Sequence, residues 1–412
     1  SDNFTTCIKM SSAPSASNSD KTFTVTPEDN LSRVTNYKIR IISSAADNLN
    51  YSLADNYTTS NGFTTDGAGT IQGTVKQSNG NALSDVLVSF SGANVDSTTT
   101  DNSGNFNKTL GLGSYTLTYT KSGYISSTQS ATLATDNQTV VASTLTLLSS
   151  GCSTGNISGT IKDAVSGSTI SGVSISIRSG ANVTSGSTIS GKTATTANNG
   201  TYTVSSVDAG GYTVQASKSG YITSYFNVNV CGNVSNQDSN MSTTLNSGTM
   251  RIVTSWKGTD DLDSHLEIPV SDDQDGASNS TDSTHLFYGS QSSGLDYHSY
   301  GTGDNVTLDR DNVDGIVATC TVSGNKCGPE TITISKVRSG AYRYHVHAYD
   351  RSGDNTTHIA DNGTYVQVFY NNNSTNFYPP STAGDLWTVF DFDNSSGFNA
   401  VSYTHLTLPT KA

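Results

Sequence analysis

Carboxylates spaced along Asn- and Gly-rich loops are the side chains of this sequence best suited to chemistry. Asp309, Asp311 and Asp314 stand just before Gly315, a spacing that presents oxygen ligands to calcium along a short loop. Asp260, Asp261 and Asp263 form a second group, and Asp272, Asp273 and Asp275 before Gly276 form a third. The twelve-residue EF-hand pattern with its closing Glu is missing, so any ion held here is a structural calcium and no cofactor is required. Solvated acidic turns are the alternative. His345 and His347 lie two apart on one strand, so their rings project to the same side and could complete a three-ligand site with His265 or His298. A hydrated or hydrogen-bonded histidine face is the plainer reading. Trp256 and Trp387 are candidates for an aromatic surface that binds carbohydrate, with buried core tryptophans as the alternative.

Hydrolytic machinery is not legible. A glycosidase needs two carboxylates across a cleft, but so many aspartates make accidental pairs common. The Gly-x-Ser-x-Gly elbow and the His-Glu-x-x-His zinc motif are both absent. The expectation is a protein that is not an enzyme. A net charge of −13 excludes a phosphate-binding basic face and with it nucleic acid as a partner. No apolar run is long enough to span a bilayer.

Five cysteines point to an oxidising compartment, extracellular or at a cell surface. Cys152 and Cys231 bracket one segment and would tie its ends, while Cys320 and Cys327 would close a tight loop. Cys7 is the odd one and implies a partner upstream. Five reduced thiols are the alternative. Asn-x-Ser/Thr sequons at Asn50, Asn107, Asn137, Asn156, Asn182, Asn199, Asn233, Asn305, Asn355, Asn373 and Asn394 are candidate glycosylation sites on an Asn/Ser/Thr-rich surface.

The elements that must position these groups are strands. Hydrophobic residues are 33% and charged residues 13%, and only Glu28, Glu267 and Glu330 interrupt an otherwise Asp-only acidic complement, so helix-forming mixtures are absent. Val86, Val88 and Phe90, then Val173, Ile175 and Ile177, alternate at period two. A module recurs. Gly69-Thr70-Ile71-Gln72-Gly73-Thr74-Val75-Lys76 returns as Gly155-Asn156-Ile157-Ser158-Gly159-Thr160-Ile161-Lys162, and Lys-Ser-Gly-Tyr-Ile occurs at both 121–125 and 218–222.

These phrases, with the Asn-Ser-Gly and Asn-Asn-Gly turns at 102–104 and 198–200, resemble the carboxypeptidase-regulatory-like, transthyretin-type module over residues 68–147 and 153–246. The resemblance implies seven-stranded sandwiches that act as spacers or adhesion units. Residues 1–66 resemble the closing half of an Ig-like domain of bacterial surface proteins, through Asp2-Asn3-Phe4-Thr5-Thr6-Cys7, Thr35 to Ile41 and Tyr57 to Thr65. A half sandwich leaves strand edges open, so either sequence is missing upstream or another chain supplies strands. Residues 248–400 resemble an uncharacterised bacterial surface β-sandwich with Trp…Asp-Leu-Asp-x-His and Gly-Pro-Glu-Thr-Ile segments, here Trp256 to His265 and Gly328 to Ile332. Residues 402–412 read as translated sequencing adapter, outside the fold.

The expectation is therefore an all-β chain of Ig-like and transthyretin-like sandwiches in a linear array. Its role would be a surface fibril subunit or adhesin stalk that self-associates, with strand complementation at the N-terminal half sandwich. The alternative is a glycan- or surface-ligand-binding last domain, or the accessory region of a secreted hydrolase.

Overall fold

A computed structural model of the chain describes all residues except 1–5, 20–21, 33–34, 47–48, 258–259, 270–284, 289–294, 297–304, 313–328, 350–357, 362, 381, 396 and 406–412. Among the described residues strands account for nearly all the regular structure, and the one helix, His358–Asp361, is far too short to cross a membrane. The chain is all-β, built of tandem Ig-like and transthyretin-like sandwiches. It divides into two compact units, one of residues 1–70 with 109–113 and 133–138, the other of the remainder.

In the first unit, residues 6–66 form three two-stranded ladders: Ser15–Ser17 with Thr22–Thr24, Asn36–Tyr37 with Phe63–Thr64, and Arg40–Ile41 with Tyr57–Thr58. None of the described residues in this stretch is buried. Phe23, Leu49 and Tyr51 are 64%, 70% and 73% exposed, and Ile39, Ile41, Ile42, Tyr57 and Phe63 also face solvent. Two-stranded pieces cannot bury an apolar face on their own.

The first repeat carries a four-stranded sheet in which Gly113–Thr120 and Asp96–Thr99 flank Leu87–Gly92. Leu145–Leu147 returns parallel to Ala68–Gln77. Alternation along these strands buries Ile71, Val75, Val88, Phe90, Leu117 and Tyr119, and the rings of Phe106 and Tyr119 meet edge to face at 5.8 Å. The second repeat places Gly155–Asp163 between Thr201–Val207 and Ser239–Met241, and faces this with a sheet ordered Thr193–Thr195, Ser174–Ser179, Gly210–Ser217, Ser224–Val230.

The recurring phrases have matching jobs. Lys121 Nζ donates to Ser84 O at 2.7 Å, and Lys218 Nζ donates to Ser171 O at 2.5 Å, so each Lys-Ser-Gly-Tyr-Ile turn is pinned to the loop before its second strand. Gly104 and Gly200 hold φ of +74° and +77°, and a Cβ on Gly104 would lie 2.4 Å from Val75 O. One device was not visible in the repeats. Thr100 and Thr196, both buried, donate to Leu83 O and Ile170 O and accept from the amides of Val86 and Val173.

The last domain is a sandwich of a six-stranded sheet built around Met250–Ser255 and a five-stranded sheet built around Ala341–Ala348. Its final strand, Gly397–His405, pairs with Leu386–Asp393 through His405. The expected extraneous tail therefore enters the ladder over residues 402–405, because their backbone continues the antiparallel register; residues 406–412 lie outside the described residues. Both faces of the six-stranded sheet are covered. Ile252, Val366 and Val368 face the domain core, while Val253 and Phe369 pack on Ala164 and Ile222 of the second repeat, and Tyr365 joins that repeat's core.

Candidate functional site

The strand Leu262–Glu267 pairs antiparallel with Ala341–Ala348, setting Asp263 opposite His347 and His265 opposite His345. Leu262 and Leu266, with Tyr344, Val346 and Ala348, point into the core. Period-two alternation therefore sends Asp263, His265, His345 and His347 to the other face. His265 Nδ1 lies 2.9 Å from His285 Nε2, and the His265 and His347 rings are 5.7 Å apart. His345 Nδ1 lies 3.0 Å from Thr388 Oγ1, and its Nε2 is 3.8 Å from Glu267 Oε1. Burial lowers the pKa of His265 to about 3, reinforced by His285, His347 and His345, and burial also lowers His285 and His347. Neutral imidazoles keep ring lone pairs for hydrogen bonds or a metal. Asp263, His265 and His347 each bring one ligand atom into a group within 4.8 Å.

Asp263 belongs to a second group as well. One oxygen each from Asp263, Asp311 and Glu330 lie within 4.8 Å of one another. Of the expected Asp309, Asp311 and Asp314 loop, Asp309 and Asp311 are among the described residues and face different ways. A register shift between Leu308 and Arg310 inserts Asp309 as an extra residue and moves the alternation by one. Thr307 and Asp309 share a face, where Asp309 is hydrogen-bonded to Thr307 and Thr333, and the shift turns Asp311 off that face to the side of Glu330. Asp261 joins neither group among the described residues, its backbone oxygen accepting from Tyr349. Asp314, Asp272, Asp273, Asp275 and His298 lie outside the described residues. Glu330 is the member that sequence reasoning missed; its signal was a lone Glu opening a strand in an Asp-only chain.

Trp256 and Trp387 do not form a surface platform. They are 1% and 0% exposed in the core of the last domain, and Trp256 Nε1 donates to Asp260 O at 2.8 Å. Large apolar rings on core-facing strand positions are buried because that removes the most surface from water. The aromatic row that does reach solvent is different: His285 stacks on Phe287 at 5.0 Å, and Tyr288 and Tyr349 beside it are exposed.

Cys152 and Cys231 form a disulfide across the second repeat. Cys7 is an exposed thiol, and Cys320 and Cys327 lie outside the described residues. Asn50, Asn107, Asn137, Asn199, Asn233, Asn373 and Asn394 are exposed. Asn156 and Asn182 are half-buried, and the Asn182 amide is engaged at both ends, by Ser143 and by Asn227. The side chain of Asn305, and Asn355 altogether, are outside the described residues.

Residues 70–147 and 156–259 match the carboxypeptidase regulatory-like domain. The family's pattern thus matches the chain twice, once over each repeat. No curated protein matches the chain. Among solved structures it is similar to a streptococcal ancillary pilin (13% identity, 55% of this chain and 83% of the pilin, TM-score 0.18). It is also similar to the Bacillus anthracis TIE protein (12% identity, 70% of this chain and 47% of that protein, TM-score 0.19). A third is the shaft pilin SpaA of Lactobacillus rhamnosus GG (15% identity, 44% of this chain and 98% of the pilin, TM-score 0.18).

Proposed function

We propose that this chain is a non-enzymatic structural protein of a bacterial surface, a fibril subunit or adhesin stalk whose first 66 residues receive strands from a second copy. The observation that carries the reading is the set of open ladders in residues 6–66. Their described residues include none that is buried, and Phe23, Leu49, Tyr51 and Phe63 face water. An apolar β surface of this kind is stabilised when added strands satisfy its free edges with main-chain hydrogen bonds. The regulatory-like repeats fit the role of spacers, since each is a closed core with short pinned turns.

Light scattering on the full chain tests this. Concentration-dependent association, abolished by Phe23→Ser with Leu49→Ser and Phe63→Ser, supports the joint. A monomer at all concentrations, with amide protection through residues 6–66, contradicts it.

A second reading is favoured by the exposed Tyr288 and Tyr349 beside the half-buried Phe287, which offer ring faces to a glycan or another surface ligand. Glycan-array binding lost in Tyr288→Ala and Tyr349→Ala would favour it.

A further inference from the structure

We infer that Asp263, Asp311 and Glu330 hold a hard divalent cation of the calcium class, which clamps the two sheets of the last domain together. The three carboxylates come from different places. Asp263 lies on Leu262–Glu267 in the five-stranded sheet, Glu330 opens Glu330–Ile334 in the six-stranded sheet, and Asp311 follows Asn305–Arg310 in that same sheet. Their orientation is fixed from outside the group. Ser264 N donates to Glu330 Oε2 at 2.6 Å, and the buried Asn312 side chain donates to Pro329 O, tying the segment of Asp311 to that of Glu330.

Glu330 is 1% exposed, and its second oxygen, Oε1, finds no hydrogen-bond donor. What Glu330 faces instead is the carboxylates of Asp263 and Asp311. Burial, and then the charge of Asp263, hold the Glu330 carboxyl well above its ordinary range. Three acids gathered in a desolvated place repel one another, and either a shared proton or a cation must relieve that. The geometry points to the cation. Oxygens within 4.8 Å of one another lie close enough for small side-chain rotations to bring all three to one ion at the roughly 2.4 Å of a calcium–oxygen bond, and three carboxylates supply as many as six oxygens. An all-oxygen set suits calcium, magnesium or manganese rather than a softer metal. Water would complete the shell.

The experiment uses the full chain, stripped with chelator and titrated separately with calcium, magnesium, manganese and zinc by calorimetry and thermal denaturation. Calcium at one hundred times its dissociation constant is expected to raise the transition of the last domain by roughly 5–10 °C. Asp311→Asn and Glu330→Gln should each remove that rise, while Asp309→Asn, whose carboxylate is held by threonines, should keep it. If Glu330→Gln does not fold, Asp311→Asn alone decides, because Asp311 is only half-buried. No heat and no shift with any of the oxygen-preferring ions at about 10 mM would overturn the site. So would binding that survives Asp311→Asn but disappears in His347→Ala, since that places the ion on the histidine face.

Discussion

Ser224 Oγ donates to the Gln367 side chain at 3.1 Å, across 143 residues of sequence, with both groups buried. Gln367 Nε2 in turn donates to Tyr225 O and to Asn376 Oδ1. Thr331 Oγ1 donates to Ala164 O at 2.6 Å, and the Ser239 and Tyr365 hydroxyls meet at 3.2 Å. The second regulatory-like repeat and the last domain are thus joined by a built interface of apolar and polar contacts.

Phe369 is the apolar centre of that joint, packed with Val253 against Ala164 and Ile222. Phe369→Ala should cost about 3–5 kcal/mol. The transitions of the second repeat and the last domain, coupled through this contact, should move further apart in calorimetry. Limited proteolysis should then cut between residues 242 and 249.

The disulfide between Cys152 and Cys231 joins residues 79 apart. Closing a loop of that length restricts the unfolded chain by about 4–5 kcal/mol. Cys152→Ser with Cys231→Ser should lower the second repeat's transition by about that free energy and leave the first repeat's transition in place, as read by calorimetry.

Thr100 and Thr196 should behave as a matched pair. Replacing either by Val leaves a buried amide and a buried carbonyl without their shared hydroxyl, at a cost of about 1–3 kcal/mol in its own repeat. Chemical denaturation of the two single variants should show losses of similar size, since the two threonines make the same pair of bonds.

Asp238 gives a pH dependence. It is buried beside the strand Gly155–Asp163, with Oδ1 accepting from Thr160 N at 2.8 Å and Oδ2 finding no donor. Burial raises its pKa above the ordinary 3.8. Between 3.8 and the raised value the folded chain binds a proton that the unfolded chain has lost, so this group's contribution falls as pH rises. Asp238→Asn should therefore stabilise the second repeat at pH 7, and denaturation near pH 3.5 should show the gain shrinking.

Much of the fold was legible because period-two alternation and positive-φ turns are local. The Gly-Thr-Ile and Lys-Ser-Gly-Tyr-Ile phrases repeat because each pins the same turn, and that repetition marked the two modules. The joint between repeat and last domain was hidden. Tyr365 to Phe369 reads as a plain apolar strand, and nothing local says that both its faces are covered. The acidic site was legible by residue type and misread by partner. One inserted residue at Asp309 turns Asp311 inward, and a period-two count cannot see a bulge. The tryptophans were ambiguous for another reason: a ring that suits a sugar also suits a core.

Negative-stain electron microscopy of the protein from its native source tests the assembly most directly. Strand exchange at residues 6–66 predicts regular filaments whose axial repeat holds one chain, and their loss in the Phe23→Ser, Leu49→Ser, Phe63→Ser variant. Single beaded rods that do not join, in wild type and variant alike, would contradict it and leave the last domain as the functional end.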